Sequence, residues 1–289
     1  MSDDPAWDAY FIPGTKVLRN NLGRDAAHPD GTTNPITVSR AEHDTSLIRM
    51  AELLARPVDP DARFDLDHAR AIHRHLFSDV YPWAGEIRTG PREGRVMTKT
   101  DMDVVAFAPG DLNAGLRDYH YAQIAELRDG GLDHAYGIVE QLNYLQGLDH
   151  DQYVTALATV WGTTNYMHPF REGNTRTQSV YFAQLAERGG YDLDLTRFAF
   201  AGDLRTEFIN ARNHNLATMR TDRLEAVIDK ALAPIPDGAT IDRAPTIGAL
   251  LAATRGHSVA AQPSRNIHPP TTAPPTPELG RDHGPAAGL

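Results

Sequence analysis

No cysteine occurs among the 289 residues. That excludes disulfide staples, thiolate nucleophiles and cysteine-ligated zinc. There is no run of about 18 apolar residues, so no segment reads as a membrane span. The opening stretch, MSDDPAWDAY, is acidic and lacks the apolar core of a secretory signal, so a cytoplasmic protein is the expectation. Positive charge is also scarce. Lys and Arg total 28 against 38 Asp and Glu, for a formal net charge of -10. Such a chain is repelled by nucleic-acid backbone and by anionic membrane, which argues against both as partners. A local anion pocket remains compatible with that charge.

Hydrophobic residues make up 41% of the chain, enough for one sizeable core. Of the 20 prolines, seven lie between Pro263 and Pro285. That stretch has almost no large apolar side chain to offset its ordering entropy, so residues 257–289 read as a disordered tail. Residues 1–45 read as an irregular arm and the start of the domain, because turn formers such as IPGT, NNLGRD and HPDGTTNP crowd it. The main domain is placed at 46–235, and 236–256 as a linker with a short helix at 246–254.

Inside the main domain, helical periodicity dominates. SRAEHDTSLIRMAELLA reads as a helix opened by a capping box of Ser39 and Glu42. FDLDHARAIHRHLFSDVY places Ala69, Ile72, His73 and Leu76 on one face. Next, GEIRT and VVAFAP read as two short strands of a hairpin. Helices are expected from Asp111 to about Arg128, at roughly 133–147, and from near Asp151 to the break at Pro169. The last of these carries Val154, Leu157, Ala158, Trp161 and Thr164 on one face. TRTQSVYFAQLAER follows, closed by Gly189 and Gly190, then RTEFINARNHNLATM and DRLEAVIDKAL. The fold class is all-α with one small hairpin. His68, His73 and His75 lack metal-ligand spacing and read as structural.

One segment stands apart: H-P-F-R-E-G-N-T-R-T-Q-S, from His168 to Ser179. A helix ends, a Gly/Asn turn follows, and a new helix starts. Unpaired N–H groups and the helix dipole make such a start an anion site suited to phosphates. Gly173 lets the backbone approach a ligand, and Asn174 suits a cap or a left-handed turn. Arg176 adds a forked phosphate donor. Glu172 beside phosphates calls for a cation between them, the usual way of holding Mg²⁺. His168 can exchange a proton near neutral pH.

This segment resembles the Fic family signature, H-P-F-x-[D/E]-G-N-G-R-x-x-R. IPGTKVLRNNLG, FDLDHARAIHRHLFSDVYPWAGEIRT and the helix before His168 also resemble Fic proteins, so the likeness covers roughly residues 10–232. It implies a Fic-like helical bundle with a β-hairpin flap. It also implies a protein adenylyltransferase that moves AMP from ATP to a Ser, Thr or Tyr hydroxyl and releases pyrophosphate, as a toxin-type regulator. By position, His168 would be the base and Glu172 the Mg²⁺ ligand. Phe170, Arg171, Gly173, Asn174, Thr175 and Arg176 would form the nucleotide-binding loop, with Phe170 anchoring it in the core. The target protein would dock by strand addition on the flap, about residues 86–108. A separate small antitoxin-like protein would be the inhibitor, because the one inhibitory-helix match, Thr89 to Gly94, falls in the flap. Two departures stand out. Thr175 replaces the second motif glycine, and Ser179 replaces the final arginine, a cation expected at the terminal phosphate. They keep open a phosphotransferase, a transferase of another nucleotide, or a weak enzyme acting as a binding protein.

Overall fold

A computed structural model describes residues 4–59, 63–91, 97–100, 116–199 and 202–255. The first turn, α1 (Pro5–Asp8), is capped by Asp4. The irregular stretch that follows is held in place, with Phe11 bridging Leu18 and Ile12, Val17 and Leu18 joining the core. Helix α2 (Pro35–Ala55) starts four residues before the expected Ser39. Asn34 accepts from the N–H groups of Ile36 and Thr37, and Pro35 takes the first helical position, where its missing N–H costs nothing. That cap wins over Ser39, and it frees Glu42 for another task. Because α2 runs through residue 45, no structural boundary falls there.

Helix α3 (Leu66–Phe77), capped by Asp65, buries Ala69, Ile72, His73, Leu76 and Phe77 as its periodicity requires. The hairpin differs from expectation. Residues 86–90 are not a strand, and VVAFAP lies outside the described residues. The hairpin is β1 (Met97–Thr100) antiparallel to β2 (Leu116–Tyr119), with Met97 opposite Tyr119. The helix expected from Asp111 to about Arg128 is thus interrupted: β2 takes residues 116–119, the three-residue α4 (Ile124–Glu126) is the first α-helix after it, and residues 111–115 lie outside the described residues. LRDY has helix-forming residues, but cross-strand pairing overrides so short a preference.

Helix α5 (Leu132–Gln141) leads to α6 (His150–Met167), which opens with a capping box of Asp149 and Gln152. Helix α7 (Asn174–Arg188) is buried along most of its length, the mark of a helix surrounded by others. It packs against α2, α3 and α6. A second small sheet, absent from the sequence reading, pairs β3 (Tyr191–Leu193) with β4 (Leu232–Pro234). Between them lie α8 (Arg205–Thr218) and α9 (Asp222–Ala231), and both pack on α6. Helix α10 (Ala244–Arg255) spans most of the expected linker. It packs on α2 and buries Leu250, so it belongs to the body. The tail at 257–289 lies outside the described residues. Among those described, no helix is long and apolar enough to cross a membrane.

Candidate active site

The turn between α6 and α7 closes over a small open cavity of about 120 Å³, lined by His168, Glu172, Gly173, Asn174, Thr175 and Arg176. That is below the ~300–1,000 Å³ of whole-ligand pockets, and it suits a phosphate group better than a nucleoside. Its floor is the start of α7. No side chain caps that helix, and its first backbone bond runs from the N–H of Thr177 to the oxygen of Gly173. The preceding N–H groups are the donors that a helix start offers to an anion.

His168 ends α6 in the left-handed region, at φ 45° and ψ 59°. Pro169 forbids a further helical residue, since its ring crowds the residue before it. A left-handed non-glycine residue costs about 1–3 kcal/mol, so its surroundings must hold it. Arg88 does so. Its Nε donates to the His168 oxygen at 2.7 Å, and its other nitrogens donate to the oxygens of Met167, Ala122 and Gly90. The Arg88 N–H donates to Pro169 O at 2.8 Å. Burial lowers the guanidinium to about 10, and its partners are carbonyls throughout. Tyr121 stacks on the His168 ring, with centroids 3.8 Å apart, and burial raises its phenol to about 12.

Phe170 is buried and stacks on His73 at 3.9 Å. The Phe170 N–H donates to Asn174 Oδ1 at 2.9 Å, and Asn174 Nδ2 donates to Phe170 O at 2.8 Å. Asn174 thus clamps the turn, and the left-handed residue is Gly173, at φ 78°. Glycine at 173 has a further reason beside the expected approach to a ligand: a Cβ there would lie 2.3 Å from the Phe77 ring, so the backbone also approaches the core closely.

His73, read as structural, bridges two backbone segments. The Gly85 N–H donates to its Nδ1 at 2.7 Å, and its Nε2 faces Glu172 O at 3.0 Å. An amide N–H can only donate and a carbonyl can only accept. The ring is therefore neutral, with its proton on Nε2. Burial first, against the opposing pull of the Glu172 carbonyl, depresses it to about 3.

The arginines of the loop diverge. Arg171 turns away from the cavity, its Cζ 3.9 Å from the centroid of Trp7 and its Nη1 3.6 Å from Glu172 Oε2. Arg176 is held by Glu42 of α2 and donates to Ser46 Oγ at 2.7 Å. Glu42 also accepts from the Tyr81 hydroxyl. Glu172 lines the cavity, and burial followed by the charge of Glu42 raises its pKa above the ordinary 4.5. Among the described residues no group of three or more metal-ligating side chains occurs. Glu172 fits Mg²⁺ only where phosphate oxygens complete the shell.

Sequence reasoning missed Glu42, Arg88, Tyr121 and Arg212. Arg212, on α8, donates from Nη1 to Thr175 Oγ1 at 2.9 Å and from Nε to Asn165 Oδ1 at 3.1 Å. The one signal available for Arg88 was its place beside Ile87 and close to Trp83 and Ala84 in WAGEIRT.

The Fic/DOC family pattern matches residues 63–186. The probable protein adenylyltransferase y4lH of Sinorhizobium fredii is 31% identical over 211 residues, which is 68% of this chain and 90% of that protein. This chain belongs to the Fic/DOC family. Protein adenylyltransferase VbhT of Bartonella schoenbuchensis is 34% identical over 194 residues, 66% of this chain but 33% of that protein. This Fic chain thus aligns with about a third of that longer relative. The crystal structure of BepC from Bartonella tribocorum with bound AMPPNP has a TM-score of 0.57 at 21% identity, covering 78% of this chain and 97% of that one. It shares the Fic fold.

Proposed function

We propose that this chain is a protein adenylyltransferase that transfers AMP from ATP to a Ser, Thr or Tyr hydroxyl of a target protein. The reading rests on one juxtaposition. An uncapped helix start, a histidine and a carboxylate share one small cavity, in a chain 31% identical to a probable protein adenylyltransferase. ATP is the substrate, and the α7 start takes its phosphates. Glu172 would hold Mg²⁺, which supplies charge neutralisation on the phosphates when bound.

The transfer is in-line. The target oxygen bonds to the α-phosphorus as the bond to the bridging oxygen breaks, and pyrophosphate leaves with that oxygen's electrons. His168 takes the hydroxyl proton and later gives it to solvent. Arg88 and Tyr121 fix where that ring sits, so the proton acceptor is pre-positioned. Among the described residues β1 pairs only with β2. We take an edge of this hairpin as the place where a target strand adds. A small antitoxin-like inhibitor and a cytoplasmic site of action belong to the same proposal.

The test is incubation with native lysate, Mg²⁺ and each labelled nucleotide, followed by mass measurement of the modified species. An added AMP that His168→Ala lowers by about 10²–10⁴-fold is expected. An added phosphate means phosphotransfer instead. Equal labelling by the variant would remove His168 from the mechanism.

A further inference from the structure

The arginines around this turn are held in different ways. Arg88 gives its donors to backbone carbonyls. Arg171 lies against Trp7 and beside Glu172. Arg176 is paired with Glu42. Arg212, on α8, has its Cζ 5.5 Å from the Phe208 ring and, like Arg88, no carboxylate partner among the described residues. It is 9% exposed, and its bonds go to the neutral oxygens of Asn165 and Thr175. A guanidinium carries five N–H groups, and these bonds engage three. Among the described residues no carboxylate pairs with it. A buried cation without an opposite charge is costly, and an anion that arrives next to it repays that cost.

The place of Arg212 gives the anion its identity. Thr175, which it holds, lines the cavity at the open start of α7. Ser179 lies one helical turn further along and bonds back to Thr175 O at 2.9 Å. Side chains on a helix lean toward its N-terminus, so a long side chain at 179 would lie over Thr175. There the chain lacks the expected arginine, and a guanidinium arrives from α8 instead.

We infer that Arg212 is the second phosphate-binding cation of this pocket, contacting the terminal phosphates of the bound nucleotide in place of an arginine at position 179. The inference rests on the nucleotide reading of the cavity. It gives Arg212 a specificity role: the residue discriminates triphosphate from monophosphate. Thr175, at the position of the second motif glycine, is then the hydroxyl that aims the guanidinium.

Calorimetric titration of the full chain with Mg²⁺-ATP and with AMP tests it. Arg212→Gln retains an amide donor for Asn165 and removes the charge. ATP binding is expected to weaken about 10- to 100-fold, the range for a lost charged hydrogen bond, with AMP binding within about twofold. Adding Ser179→Arg to that variant is expected to restore most of the ATP affinity. Unchanged ATP binding in Arg212→Gln overturns the role of Arg212 alone. So does an equal loss for ATP and AMP, which marks a structural residue. A wild-type chain that binds neither nucleotide overturns the nucleotide reading and this inference with it.

Discussion

His73 offers a test of the site through stability, independent of any substrate. Its ring is wholly buried, accepts from Gly85 at Nδ1 and donates to Glu172 O from Nε2. Protonation would put a second N–H against the Gly85 N–H. Burial already depresses the group from 6.5 to about 3. The unfolded chain therefore binds this proton first as pH falls. Stability from His73 is full above pH 6.5 and is lost as pH drops toward 3. At about 1.4 kcal/mol per pH unit the whole contribution is about 5 kcal/mol, with roughly 2–3 kcal/mol lost between pH 6.5 and 4.5. His73→Phe keeps the ring on Phe170 but strands one buried N–H and one carbonyl, costing about 2–6 kcal/mol at pH 7. Urea unfolding of both proteins from pH 7.5 to 4.5 measures the difference. The two proteins share every other titratable group, so the difference isolates His73. The wild type is expected to lose about 1.4 kcal/mol more per pH unit below 6.5 than the variant. Parallel pH profiles would refute the neutral, buried assignment.

Two further predictions concern the carboxylates. Glu172 is pushed up by burial and by Glu42, with Arg171 and Arg176 pulling the other way. Its proton competes with metal, so Mg²⁺ affinity, followed by calorimetry in the presence of ADP, falls off at a pH above the ordinary 4.5. Glu172→Gln is expected to abolish that dependence while raising the thermal midpoint by about 1–4 °C, because a destabilised charge is gone; a lowered midpoint would contradict the crowding of Glu172 by Glu42. Glu42→Gln leaves Arg176 with Ser46 Oγ and the backbone oxygen of Glu42. A loss of about 1–3 kcal/mol is expected in denaturant unfolding, allowing for solvent screening of a partly exposed pair. Saturating Mg²⁺-ATP should recover part of it, since phosphate replaces the lost carboxylate.

The sequence carried the helices well, because helical signals are local. α3, α6 and α7 bury the residues that their periodicity places together. The cavity was legible for the same reason, since one continuous segment, 168–176, supplies its lining. What failed depends on distance. β2 is four residues long, too short for alternation to outvote helix-forming side chains. β3 and β4 are three residues each, with α8 and α9 between them. Glu42, Arg88 and Arg212 reach the loop from α2, the turn after α3 and α8. A charged residue in a chain rich in charge gives no sign that it will be buried. Ser179 was the one local trace, a vacancy whose replacement came from another helix.

These distant residues divide the work with the loop itself. His73 and Arg88 spend their side chains on backbone atoms, the oxygens of Glu172 and His168, and within the loop Asn174 holds both polar groups of Phe170. Each bond removes a way for the turn to move, and together they hold a left-handed histidine that costs about 1–3 kcal/mol by itself. With the backbone fixed in this way, the side chains of His168 and Glu172 line the cavity. The same logic explains how a chain of charge -10 can hold an anion. It need not gather cations; among the described residues it withholds a carboxylate from Arg88, which is spent on backbone carbonyls, and from Arg212. Arg176 is given Glu42 and Arg171 is given Glu172, whereas Arg212 is given neutral oxygens beside an open helix start.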